Sequence, residues 1–283
     1  MKKNLISAIA GLMLMTGFIF TSTIYGQSEK SVVNKYMKEL PHGRPDFHDG
    51  SQKYRMTAIY INRDLYGNFT SKLKVSGDYT IEKGGENAVW DNVYISESNS
   101  FEAPFTQGQR QSYMDNFRYV PSPEMIKAEA FKTFPANPQN VFARNLIWDM
   151  YSIEIFAWNY LDSLKLNQPY IVPDISGQFD MAEIGKYYHN RILVTWKGIT
   201  ETNGSLCAVI DFTADDNLVE IEMPMVKTKG TEQYWGTVLV SLTTRNIEYA
   251  VMYGGNIMEI EVSGMNDKFL VKTIRDLEVN RIK

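Results

Sequence analysis

A few groups of residues in this chain have the types and spacing that chemistry needs. His42 and His48 share one loop with Asp46 and Asp49, and imidazole with carboxylate is a ligand set for zinc or a similar ion. Their spacing matches no metal motif and a Gly/Pro loop fixes no geometry, so they are read as turn formers and no metal site is expected. Asp149 and Glu154 stand in an apolar stretch, where an unpaired carboxylate is costly and its pKa rises. At i and i+5 they project roughly 140° apart around a helix, which excludes a catalytic pair on one face. Structural pairing is the reading, with Asn145, Arg144 or Arg191 as the expected partners. Asp215-Asp216-Asn217 begins like a calcium loop but lacks the Gly and the closing Glu, and reads as a hairpin turn. Cys207, the single cysteine, lies among Leu206, Ala208, Val209 and Ile210 and reads as a small buried hydrophobe. His189 sits within Tyr187-Tyr188-His189-Asn190-Arg191, at the mouth of an expected strand, where it either orients a polar ligand group or packs. No nucleophile elbow, zincin, P-loop or dinucleotide fingerprint occurs, so neither enzymatic activity nor a cofactor is expected.

The elements that must position these residues begin with an export signal. Lys2 and Lys3 precede an apolar run from Leu5 to Phe20 and a looser tail to Gly26, the order of a secretory signal peptide, and the run is too short to span a bilayer. Removing 26 of 283 residues leaves 257, and losing the two lysines takes the formal charge from −4 to −6. A soluble periplasmic or extracellular product is expected, with no stable membrane insertion after cleavage and no affinity for nucleic acid. One cysteine allows no internal disulfide, so stability must come from a core. The 17 Tyr, 14 Phe and 5 Trp suit both core packing and apolar ligand pockets.

Residues 27–283 read as a single mainly-β domain with a helical insertion at about 123–164. A short amphipathic helix is predicted over 28–40, ended by Pro41. From Tyr54 the period changes to two, giving a three-strand antiparallel meander whose second member runs over 69–82. A short helix should follow Ser122-Pro123-Glu124, and a longer one, apolar nearly all round, should run from Gln139 to about Leu164 and be buried on most sides. Strands are then predicted over 190–198, 205–214, 218–226, 234–242, 247–253, 257–263 and 268–275, with turns at Asn203-Gly204 and Thr243–Asn246.

Tyr234-Trp235-Gly236-Thr237-Val238-Leu239-Val240-Ser241-Leu242 followed by Ile247-Glu248-Tyr249-Ala250 resembles the strand–turn–strand of periplasmic lipoprotein carriers of the Lol type, with their W-x-x-L…I pattern. The block from Trp196-Lys197-Gly198-Ile199 to Cys207-Ala208-Val209-Ile210 is similar to exported bacterial proteins. The resemblance covers roughly residues 180 to 262 and carries no catalytic residue. It implies an α+β, mainly β fold: an open half-barrel, a curved antiparallel sheet wrapping the central apolar helix and holding an acyl chain or other apolar small molecule. Trp196, Tyr234, Trp235, Tyr249 and His189 are the candidate ligand-binding residues. The alternative function is an envelope or surface module that binds protein or glycan through a sheet edge or exposed aromatics.

Overall fold

The computed structural model describes residues 25–48, 50–135, 139–173, 177–223 and 225–282. The signal-peptide reading over 1–26 falls almost wholly outside them. Helix α1, Tyr25–Tyr36, starts three residues earlier than the amphipathic pattern indicates.

The period-two alternation becomes three hairpin-linked strands, β1 (Gln52–Asp64), β2 (Phe69–Ile81) and β3 (Ala88–Ser98), followed by the short β4 (Gln109–Arg110) and β5 (Phe117–Tyr119). The segment after Ser122 forms two 3-10 turns, Pro123–Ile126 and Ala128–Phe131, in place of one α-helix. Helix α2 (Asn140–Trp158) follows, shorter than expected because the chain turns at Asn159 into a 3-10 turn at Leu161–Ser163. The remaining strands are β6 (Tyr170–Ile171), β7 (Gly177–Asp180), β8 (Gly185–His189), β9 (Arg191–Thr202), β10 (Ser205–Met223), β11 (Val226–Ser241), β12 (Ile247–Val262) and β13 (Lys268–Ile282).

All thirteen strands join one curved antiparallel sheet, in the order β4-β3-β2-β1-β13-β12-β11-β10-β8-β7, with β9 beside the first half of β10; the sheet is not closed into a barrel. The N-terminal meander joins the C-terminal one through β1 and β13, in register from Lys53↔Ile282 to Asp64↔Val271. The Asn203-Gly204 turn forms as read, both residues having positive φ (54° and 75°) as a tight hairpin needs. Two expected breaks are absent. Asp215–Asn217 is a bulge inside the continuous β10, with Asp216 at φ 56°, and the stretch between 253 and 257 runs unbroken through β12.

Helix α2 lies on the concave face against β2, β10, β11 and β12. Its buried residues, from Ala143 through Ile147, Met150, Ile153 and Ala157 and on to Arg144, Phe156 and Trp158, exceed one stripe because a second layer covers its back. Phe156 stacks on Phe212 of β10, centroids 4.4 Å apart. Gly236 opposite leaves that space: a Cβ there would stand 2.6 Å from Phe212 Cζ and 2.1 Å from the Val251 carbonyl oxygen. On the outer side Trp148 meets Phe131 edge-on and donates its indole N–H to the Met125 carbonyl at 2.9 Å. The segment 40–47 closes the C-terminal end, where Leu40 and Phe47 are buried and Phe47 packs edge-on against Trp158.

Candidate ligand site on the concave face

Alternate residues of a strand share a face, so the register sorts the concave side into cross-strand rows. The row Tyr60, Arg275, Gly254, Tyr234, Ala214 is the last that α2 reaches. Arg275 Nη1 donates to both oxygens of Asp149 at 3.0 and 3.1 Å, and its Nη2 lies 3.9 Å from Glu232. Tyr187 donates its hydroxyl to Glu232 at 2.7 Å. Asn145 donates to the Tyr60 hydroxyl. Burial raises Asp149 to about 6 despite the guanidinium beside it, while Arg275 stays charged.

The next row is polar across six strands: Asn217, Glu232, Asn256, Thr273, Asn62 and Ser71. Thr273 donates to Asn62 at 2.7 Å and Asn62 to Ser71 at 2.9 Å. Asn217 donates to the Glu232 carbonyl. Three buried atoms here have no partner among the described residues, Asn256 Oδ1, Arg275 Nε and His189 Nδ1. Beyond this row the face turns apolar again and carries no helix. Val219, Gly230, Met258 and Val271 form one row, Ile221, Thr228, Ile260 and Phe269 the next, and Met223, Val226 and Val262 the last before the hairpin tips. Phe269 is 41% exposed at the rim. An open groove of about 1000 Å³ lies between residues 126–128, the 180–186 segment and β10 to β12; its strand lining is mostly Glu220, Glu222, Lys227, Lys229, Glu259 and Glu261, which alternate with the floor residues and belong to the opposite face. Its edges carry paired charges, Lys229 with Glu220 and Lys227 with Glu222.

Of the five candidates, His189 and Tyr234 share the concave face, ring centroids 6.3 Å apart, with Tyr187 and Phe179 also against the imidazole. Burial lowers the His189 pKa, so the ring is neutral at pH 7. Trp196 is a core residue, its N–H spent on the Gly198 carbonyl at 2.8 Å. Trp235 and Tyr249 face the convex side, Trp235 paired with Tyr253 at 6.1 Å and Tyr249 opposite Leu239. The five therefore form no single site.

The acids find partners the sequence did not suggest. Glu154 accepts from the Tyr79 hydroxyl at 2.5 Å and lies 3.4 Å from Arg44, and burial raises it to about 7. Arg144 instead donates to the Ala182 carbonyl, and Arg191 pairs with Asp215. His42 bonds Glu39 and Asp162, and the backbone N–H of His48 bonds Asp46 in a local turn; Asp49 lies outside the described residues. Burial pushes the Cys207 thiol up to about 12, which leaves it protonated and unreactive. The residues that sequence reasoning missed are Arg275, Glu232, Asn256, Thr273 and Asn62. Their signal was phase: each holds a position where strand alternation expects an apolar residue.

No protein-family model matches the chain, and no curated protein matches it. Among solved structures it is similar to lipovitellin, from a structure of lipid–protein interactions, at 13% identity over 87% of this chain and 26% of that one, with a TM-score of 0.43. It thus spans about a quarter of the lipovitellin chain's length. A DUF1329 family protein from Desulfovibrio piger matches at 9% identity over 90% of this chain and 92% of that one, TM-score 0.14. The loop L8 deletion mutant of OmpT, an outer membrane protein of Vibrio cholerae, matches at 6% identity over 82% and 99%, TM-score 0.15. At such scores none establishes a shared fold or ligand, and the curved sheet stands on its own strand pairing.

Proposed function

We propose that this is an exported, non-catalytic binding protein, working in the periplasm or outside the cell, that carries a single-chain amphiphile on the distal concave face of its sheet. The observation that carries the reading is the pair of apolar rows around Met258 and Ile260, which continue the core's floor past the end of α2 with no helix over them. The central concave face is taken by α2, whose buried side chains pack on β2, β10, β11 and β12. A lipid on the distal floor would be held by the area it removes from water, so its affinity should survive high salt. The test is mass spectrometry of organic extracts of the purified protein, with titration by a fluorescent monoacyl probe at low and high ionic strength. Saturable binding, weakened severalfold by Phe269→Glu and insensitive to salt, is expected. No extractable lipid together with no saturable binding would sink it. The exposed Trp235–Tyr253 pair on the convex side supports the second reading, a surface for protein or glycan, which that result would move ahead.

A further inference from the structure

Resting on that reading, we infer that the polar row selects the ligand's head: the site takes an uncharged amphiphile whose head both donates and accepts hydrogen bonds, and disfavours a free carboxylate. A lone arginine at the end of an apolar floor ordinarily suggests a fatty-acid site. Here Arg275 is already committed, since Nη1 is bidentate on Asp149 and Nη2 faces Glu232. Two carboxylates thus face one guanidinium, and the other titratable groups packed against the cluster, His189, Tyr187, Tyr60 and Tyr234, bring no positive charge at pH 8. An added anion would meet a local excess of negative charge in a poorly solvated place.

Among the described residues the unused capacity at the row is one acceptor, Asn256 Oδ1, and one donor, Arg275 Nε, with the Nδ1 of the neutral His189 also unpaired beside them. A hydroxyl answers the first two and a carboxylate only the second. Asn256 borders the apolar rows, and Arg275 stands one row behind it on the neighbouring strand. The head would lie at the row and the tail would run toward the hairpin tips. From Asn256 to Val262 is six residues, or roughly 20 Å of strand, more than the ~15 Å that half of a bilayer's hydrocarbon core gives one acyl chain.

The experiment compares a monoacylglycerol with a fatty acid of the same chain length at pH 8, on the full protein and on Asn256→Ala, Glu232→Gln and Phe269→Glu. The monoacylglycerol should bind at least tenfold more tightly. Asn256→Ala should weaken it several- to tenfold while leaving the fatty acid nearly unchanged, and Glu232→Gln should tighten the fatty acid. Phe269→Glu should weaken both probes by a similar factor. Equal or tighter binding of the fatty acid, or no effect of Asn256→Ala on the monoacylglycerol, overturns the selectivity while leaving the binding function intact. If neither probe binds, the binding function itself fails and this inference with it. Should Asn256→Ala unfold, Asn256→Asp replaces it: it keeps the size, and the added charge should widen the preference further.

Discussion

Replacing Glu154 by Gln should stabilise the protein at pH 8 and do almost nothing at pH 5. Glu154 is 1% exposed, and burial raises its carboxyl from 4.5 to about 7. A folded pKa above the unfolded one means that the stability contribution is complete below about 4.5 and is lost as pH rises through about 7. At about 1.36 kcal/mol per unit, the ionised carboxylate at pH 8 costs the native state about 3 kcal/mol relative to a neutral group. Gln removes that cost and keeps an acceptor for the Tyr79 hydroxyl. The contact with Arg44 is lost as well, but its attraction is already contained in the raised pKa and takes nothing further from the gain. The net gain at pH 8 is therefore about 3 kcal/mol, or roughly 6–12 °C in Tm for a chain of this size. Urea and thermal unfolding of both proteins, followed by tryptophan fluorescence from pH 5 to 8, would measure it. The difference between them isolates this group from Asp149, which loses stability over a lower window as pH rises through about 6. A difference independent of pH, or a variant less stable at pH 8, would refute the argument that burial dominates this site.

Three further substitutions probe the packing around it. Phe156→Ala should cost about 3–5 kcal/mol, because it removes the ring stacked on Phe212 and leaves a cavity between helix and sheet; a change within a degree in Tm would mean that α2 is peripheral. Arg275→Met strands Asp149 and Glu232 without their cation, so a loss of about 3–5 kcal/mol is expected at pH 8. The loss should shrink at pH 5, and urea unfolding at the two pH values checks that trend. Gly236→Ala should cost about 1–3 kcal/mol, since its new Cβ meets the Val251 carbonyl as well as the Phe212 ring, and a neutral result would show that β11 and β12 part easily.

The strand alternation was legible wherever one face is apolar and the other wet, as along Leu73, Val75, Gly77, Tyr79 and Ile81 of β2. It failed at the candidate site, and for one reason. Asp215-Asp216-Asn217 reads as a turn, and Gly254-Gly255-Asn256 falls in the expected break between two strands, because small, polar residues stand where a strand should bury side chains. In the folded sheet these segments lie on β10 and β12, the two neighbours of β11, and the polar row passes from Asn217 through Glu232 to Asn256. What reads as punctuation in one dimension is a site in three. The partners of Asp149 and Glu154 were missed because Arg275 and Arg44 lie more than a hundred residues away along the chain, beyond the reach of any helical spacing rule.

The sequence by itself determined the class of fold, an antiparallel sheet with one helix buried on nearly every side, because periodicity and all-round apolarity are local properties that burial must satisfy. It also determined that this helix carries two strained acids, since a carboxylate among Ile, Met, Phe and Trp is perturbed whatever surrounds it. Only the tertiary structure decided that β1 pairs with β13, that α2 lies on the central concave face and does not reach the distal one, and which side of the sheet each aromatic faces. Those facts depend on register between strands remote in sequence, and a shift of one residue would send every side chain to the opposite face.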